Sequence, residues 1–280
     1  MSEAAEICRK LGGDWSGRSG IAPCPVCQPE RRRNQRALSI RSDGTRLLLH
    51  CHKSGCRFQD LISAAGIQLI GSHSSSPEAL AVRASSNLLA ADKMWGKSVP
   101  IIGTPGERYL RSRGITCRLP ETIRWNGSVW HGPSKTLKSA IVARVTTGAV
   151  HRTYVDQHGM KLKHDAKLML GPTAGGAVPL SEANGALVVC EGVENGLSLL
   201  SGLLTEPATV WAALSAPGLR SVNLPEPAGR LIIALDNDEA GLSAADALAS
   251  RAYDLGWEVA MLRPRPGLDW NDILQQRQRS

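Results

Sequence analysis

The sequence predicts an α/β fold class in three parts: a small cysteine-bearing module, an α+β middle subdomain, and a C-terminal parallel sheet. Three observations predict it. Four of the seven cysteines fall between residues 24 and 56, and a Ser-rich stretch, "GSHSSSPEALAVRASS", separates that end from the rest. From Gly185 onward, apolar strands alternate with amphipathic helices, the pattern of a parallel sheet covered on both faces. The expected boundaries are 1–66 for the cysteine module, 67–86 for a linker, 87–182 for the middle region and 183–280 for the sheet domain.

Composition narrows the class of protein. A chain of 280 residues with 42% hydrophobic content buries a real core in one large domain or in two to three small ones. No apolar run approaches the roughly 20 residues a membrane span needs. The start, "MSEAAEICRKLGG", lacks the basic-then-apolar order of a signal peptide, so a cytoplasmic protein without membrane contact is expected. In a reducing compartment, clustered cysteines favour metal ligation over disulfides. Cys8, Cys117 and Cys190 stand apart and read as structural. Of the net charge of +8, residues 1–66 hold a surplus of 5 (11 Lys/Arg against 6 Asp/Glu), so the cysteine end is the basic one, which suits a polyanion such as nucleic acid.

The first part is built on "CPVC", Cys24 to Cys27, and "HCHKSGC", which carries Cys51 and Cys56. A C-x2-C and a C-x4-C separated by 23 residues (51 minus 27, minus 1), with "ALSIRSDGTRLLLH" between them as a hairpin around Asp43-Gly44, describe a zinc ribbon. Zinc binding would organise a segment too small for its own core. His50 and His52 flank Cys51 and can replace a thiolate, although four cysteines already fill a structural site. In "ERRRNQR", Arg31, Arg32, Arg33 and Arg36 offer guanidinium groups suited to phosphate contacts.

The middle part mixes a helical pattern, "ERYLRSRGI", with strand-like pieces, "SAIVARVTT" and "VHRTYVD". Arg152 and Lys167 are the expected phosphate contacts there. Each is equally readable as a solvated charge.

In the third part, ligands of an open parallel sheet bind beyond the carboxyl ends of its strands. The strand "ALVVC" ends at Glu191-Gly192, and the strand "RLIIALD" ends in Asp236 and Asp238, with Gly241 beyond. Residues i and i+2 of an extended strand project to one side, so both aspartates face one point. Like charges held together raise one another's pKa unless a cation neutralises them. Oxygen ligands without His or Cys suit Mg2+ or Mn2+. The glycines are expected to let backbone approach a phosphate or a metal-bound water, with Gly192 free to take a positive φ. "RPGLDWNDIL" adds Asp269 and Asp272 after the last strand. Asp269 sits at the strand-to-helix turn where the acids converge, whereas Asp272 reads equally as a metal ligand or a helix cap.

"VVCEGVENGLSLL" followed by "IIALDNDEAG" resembles the Toprim domain, shared by bacterial-type primases, type IA and II topoisomerases, some nucleases and RecR-type recombination proteins. That resemblance implies a Rossmann-like sheet, with Glu191 as general acid/base or metal neighbour and Asp236 and Asp238 as Mg2+ ligands. Primases carry a further Asp-x-Asp after the next strand. This chain has Asp269 and then Asn271, with Asp272 one place on. The cysteine module resembles the zinc domain of bacterial and phage primases, with its Cys-Pro start, its "HC" end and a following short helix, "FQDLISAAG". The middle segments resemble those of small primases from phages and mobile elements.

Zinc module, basic region, then Toprim is the order that implies a DNA primase, making short RNA primers de novo on single-stranded DNA from ribonucleoside triphosphates by two-metal nucleotidyl transfer. No G-x4-GK[ST] loop occurs, so a separate replicative helicase is the expected partner. Two alternatives stay open: a non-catalytic RecR-like DNA-binding protein and a Toprim nuclease.

Overall fold

The computed structural model describes residues 3–17, 19–30, 32, 35–42, 47–67 and 77–279. The chain forms two compact units, Met1–Ser74 and Ser75–Ser280. No helix among the described residues is long and apolar enough to cross a membrane.

The first unit comprises α1 (Glu3–Lys10), β1 (Asp14–Ser16), β2 (Ser19–Ala22), β3 (Leu38–Ser42), β4 (Leu47–Cys51) and α2 (Phe58–Ala65). Its strands form one antiparallel sheet in the order β1-β2-β3-β4. The β3–β4 register, Leu38 opposite Cys51 and Ser42 opposite Leu47, is that of a hairpin. The expected Asp43-Gly44 turn lies outside the described residues. Ile7, Cys8, Leu11, Leu38, Ile40 and Leu61 pack a core of their own. Helix α2 ends at Gly66 with φ 60°, a left-handed cap that glycine adopts at no steric cost.

The second unit begins with α3 (Pro77–Gly96), β5 (Val99–Pro100), α4 (Pro105–Ser112), β6 (Ile123–His131), β7 (Thr136–Arg144), β8 (Val150–Tyr154) and β9 (Lys167–Leu170). Strands β5 to β9 make an antiparallel meander in chain order. Helix α3 overruns the expected linker: residues 77–86 are helical rather than extended coil. Pro77 suits a first helical turn and the run that follows is rich in Ala and Leu. The helix docks through Ala91, which packs with Val129, Val142, Val150 and Tyr154, whereas Arg83 to Ser86 are exposed and therefore read as linker. Helix α4 starts at Thr104, whose side chain accepts from the Glu107 amide, with Pro105 behind it.

The remainder consists of β10 (Val178–Ser181), β11 (Leu187–Cys190), α5 (Val193–Ser198) continued by a π-helical turn (Leu199–Leu203), β12 (Thr209–Ala212), α6 (Ala216–Ser221), β13 (Arg230–Ala234), α7 (Glu239–Asp254), β14 (Glu258–Leu262) and α8 (Trp270–Arg279). The sheet order is β10-β12-β11-β13-β14, parallel except for β10. All four residues of β11 are buried. Val188 and Cys190 face the layer of α5 and α8, while Leu187 and Val189 face that of α7. Two features differ from the sequence expectation. Strand β10, expected in the middle region, pairs with β12 because Val178 and Leu180 belong to the shared core. Helix α6, absent from the expectation, hides behind the Pro-Gly of "APGLRS" and is capped by Ser215, which accepts from the Gly218 amide at 3.1 Å. One core runs from Tyr109 and Ile141 through Val188 and Leu197 to Trp270, so the middle region and the sheet fold together.

Candidate active site

In the first unit, the sulfurs of Cys24, Cys27, Cys51 and Cys56 all lie within 4.8 Å of one another. The Cys27–Cys51 and Cys24–Cys56 pairs are 3.6 and 3.9 Å apart. Four sulfurs placed tetrahedrally at the usual zinc–sulfur distance of about 2.3 Å stand about 3.8 Å apart, so the cage has the size of a zinc site. Burial pushes the Cys51 thiol up, but amides of Ser54, Cys56 and Lys53 outweigh it and bring it down to about 6, whereas burial and neighbouring cysteines raise Cys24 and Cys56. The imidazoles of His50 and His52 stack edge to face on each other and are not part of the cage.

Of the four arginines expected to contact phosphate, Arg32 and Arg36 are among the described residues. Arg36 spends its guanidinium on Asp14, with Nη2 and Nε 2.8 and 3.2 Å from one carboxylate oxygen. Arg32 is exposed and 3.8 Å from Glu30. Arg31 and Arg33 lie outside the described residues.

In the second unit, a pocket of about 190 Å³ opens at the carboxyl ends of β11 and β13. Glu191 follows β11 directly, and Asp236 sits two residues past the end of β13. Asp269, preceding α8, lines the same pocket. Asp238 caps α7, accepting from the Gly241 amide at 2.7 Å, so it is held at the helix start rather than on the strand. Its charge nonetheless reaches both Glu191 and Asp236. Burial and then the charges of Asp236 and Asp238 push the Glu191 carboxyl up to about 7. Burial, then Asp269 and Asp238, push Asp236 up to about 6.

These acids are not yet gathered like the cysteines; among the described residues only the cysteine group has three or more ligand atoms within 4.8 Å. They still fit a divalent cation on two observations. The buried Glu191 Oε1 has no hydrogen-bond partner among the described residues. The mutual repulsion of the carboxylates is what a hard cation would remove. Glu191, Asp236, Asp238 and Asp269 are the residues able to hold it.

Four neighbouring residues bear on the site. Asp269 and Asp272 bond reciprocally, each side chain accepting the other's amide, at 2.8 and 3.2 Å, so Asp272 is a helix-capping residue. Asn271 is fully buried and donates to the Arg113 carbonyl and Ser198 Oγ, away from the pocket. Gly192 has φ −109° and so does not use a positive φ. Gly241 is the glycine the site requires: a Cβ there would collide with the Asp236 carbonyl and come within 2.7 Å of Glu191 Oε1. It lets the α7 start approach the acids, rather than a phosphate.

Facing the acids is a cationic wall. Arg113, Lys161 and Lys167 line the pocket, and each makes an ion pair with the buried Glu194. Lys167, one of the two expected phosphate contacts, lines this pocket. Arg152 does not: it is 8% exposed, and its guanidinium donates to the Met169 and Trp130 carbonyls and to the Tyr154 hydroxyl. It is a strut between strands. Asn195 donates to Asp236 Oδ1 at 2.7 Å and fixes that carboxylate. Arg113, Lys161, Glu194 and Asn195 escaped the sequence reading, because loops far apart in the chain bring the cations together and no spacing marks them. The only local signal was the "EN" directly after Glu191, Gly192 and Val193.

Residues 186–280 match the Toprim domain family, and residues 85–180 match a domain of unknown function (DUF7146). The C-terminal third therefore carries a Toprim domain, as its two acidic motifs lead one to expect. No curated protein sequence matches the chain. Among solved structures, the zinc-binding and RNA polymerase domains of the Aquifex aeolicus primase are 14% identical, with a TM-score of 0.43 over 99% of this chain and 82% of that one. A DNA primase domain from Pseudomonas aeruginosa is 17% identical, with a TM-score of 0.39 over 69% and 74%. The primase fragment of the bacteriophage T7 primase-helicase protein is 13% identical, with a TM-score of 0.35 over 92% and 96%.

Proposed function

We propose that this chain is a DNA primase, a nucleotidyltransferase that starts short RNA primers on single-stranded DNA. One observation carries the reading. In a single pocket, the acids Glu191, Asp236 and Asp269 face the cations Arg113, Lys161 and Lys167, the arrangement a metal-bound nucleoside triphosphate needs. A cysteine cage of zinc dimensions in the basic N-terminal unit supports it, as a module for holding the template strand. The open face of its hairpin, with Arg41, His50, His52 and Phe58 around a depression of about 530 Å³, offers charge and rings to a single strand and replaces Arg36 as the candidate contact.

In the reaction, the 3′-hydroxyl oxygen bonds to the α-phosphorus of the incoming nucleotide. The bond from that phosphorus to the α–β bridging oxygen breaks, pyrophosphate departs, and the hydroxyl proton passes to Glu191. Arg113, Lys161 and Lys167 hold the triphosphate and balance the charge on the leaving pyrophosphate. Asn195 keeps Asp236 turned into the pocket. A bound Mg2+ or Mn2+ would supply further charge neutralisation and acidify the attacking hydroxyl.

The test is primer synthesis by purified protein on mixed-sequence single-stranded DNA with labelled ribonucleotides and Mg2+ or Mn2+, with Asp236→Asn alongside. Short labelled products from the wild type alone are expected. DNA cleavage without products would move the assignment to a Toprim nuclease, and binding alone to a RecR-like role.

A further inference from the structure

Glu194 is 8% exposed and lies on the first turn of α5, inside the cationic wall. Four groups converge on it. The Tyr109 hydroxyl donates to Oε2 at 2.6 Å, and Arg113 Nε stands 3.4 Å from the same oxygen. Lys167 and Lys161 stand 3.4 and 3.6 Å from Oε1. These partners come from α4, the loop after it, the β8–β9 connection and β9, all parts of the antiparallel region. Burial alone would push the carboxyl up; the lysines, Tyr109 and Arg113 outweigh it and hold the group below the ordinary glutamate range.

The charge balance distinguishes this cluster from an ordinary buried ion pair. Three cations meet one carboxylate, leaving a net +2 (three minus one) at the pocket wall. Without the carboxylate the cations would repel one another, and the lysines, whose side chains are 36% and 47% exposed, would swing into solvent. With it, they converge yet keep surplus charge for a ligand.

We infer that Glu194 is a positioning residue for catalysis: its buried carboxylate gathers Arg113, Lys161 and Lys167 into one wall, fixing where the triphosphate sits relative to the acids. The inference rests on the reading that this pocket takes a nucleoside triphosphate. Glu194 touches neither the reacting atoms nor the acids; it acts through the three cations.

The experiment compares wild type, Glu194→Gln and Asp236→Asn in primer synthesis across ATP concentrations, with ATP binding followed separately by calorimetry and folding by circular dichroism. Gln keeps one acceptor for Tyr109, removes the charge and turns its amide nitrogen toward the lysines. Misplacing a bound group by about 1 Å costs roughly 100-fold in rate, so kcat of Glu194→Gln should fall about 100-fold. KM and ATP affinity should hold or tighten, because the wall has gained positive charge. A residue that merely supports folding would lower the melting temperature without separating kcat from KM. A kcat within twofold of wild type overturns the inference and leaves the primase reading standing. A wild type that neither binds ATP nor makes primers overturns both. Should Glu194→Gln unfold, Lys161→Gln and Lys167→Gln, on partly exposed side chains, give the second arm. Each removes one cation that contacts the triphosphate and should raise the nucleotide KM by roughly tenfold, and an unchanged KM in both overturns the inference.

Discussion

Replacing Asp236 by Asn should stabilise the metal-free protein while it abolishes synthesis. Asp236 lines a half-buried pocket with Asp269; burial, then the charges of Asp269 and Asp238, raise its carboxyl from 3.8 to about 6. That rise corresponds to about 3 kcal/mol between charged and neutral forms, and screening by solvent at a half-buried site reduces it to about 1.5 kcal/mol. The folded chain binds this proton more tightly than the unfolded chain. Stability from this group is therefore present at low pH, falls as pH rises from about 4 through about 6, and is gone above. Asn carries no charge and can still accept from Asn195, whose amide lies 2.7 Å from the Asp236 oxygen. In a unit of this size, 1 kcal/mol moves the melting temperature by roughly 2–4 °C, so the variant should melt about 3–6 °C higher at pH 8 in chelator. Thermal melts by circular dichroism at pH 8 and pH 4.5, with EDTA or with Mg2+, measure this. The gain should shrink toward pH 4.5, and Mg2+ should stabilise wild type but not the variant. A variant that melts at or below wild type at pH 8 in EDTA would refute the account of mutually repelling acids awaiting a cation.

Two further substitutions separate structural from functional residues. Arg152→Met should cost about 2–3 kcal/mol, since it strips partners from the Met169 carbonyl and the Tyr154 hydroxyl; urea melts report the loss, and the folded fraction should keep the wild-type KM for nucleotide. For Gly241→Ala, helix propensity alone favours Ala by about 1 kcal/mol. The added Cβ nevertheless meets the Asp236 carbonyl and Glu191 Oε1. Overpacking should win, lowering stability by about 1–3 kcal/mol. Synthesis should fall with it, and wild-type activity in this variant would show that the start of α7 has room to retreat.

The alternation of strands and helices from Gly185, the cysteine pairs and the acids at two strand ends were legible in the sequence because each depends on local order. Strand periodicity is set by burial of adjacent residues, and a C-x2-C knuckle closes on itself. That is why Glu191 and Asp236, 45 positions apart (236 minus 191), could be assigned to one sheet edge: parallel strands β11 and β13 are neighbours in register, Cys190 beside Ala234. Helix α3 was hidden because the stretch leading into it is Ser-rich and Val82 to Ser86 are exposed, so composition spoke for a linker while Ala91 and its neighbours supplied the docking contact.

Charge partnership was decided by tertiary structure alone. Arg152 and Lys167 look alike as basic residues on neighbouring strands, yet β8 turns Arg152 into the interior and β9 leaves Lys167 at the pocket. Arg113, Lys161, Lys167 and Glu194 span 81 positions (194 minus 113) and meet only because the antiparallel region and α5 pack around one core. The sequence by itself determined which elements form and which acids end the strands. Which cations face those acids was decided by packing, because Coulomb interactions depend on separation in space, and the chain carries no local record of it.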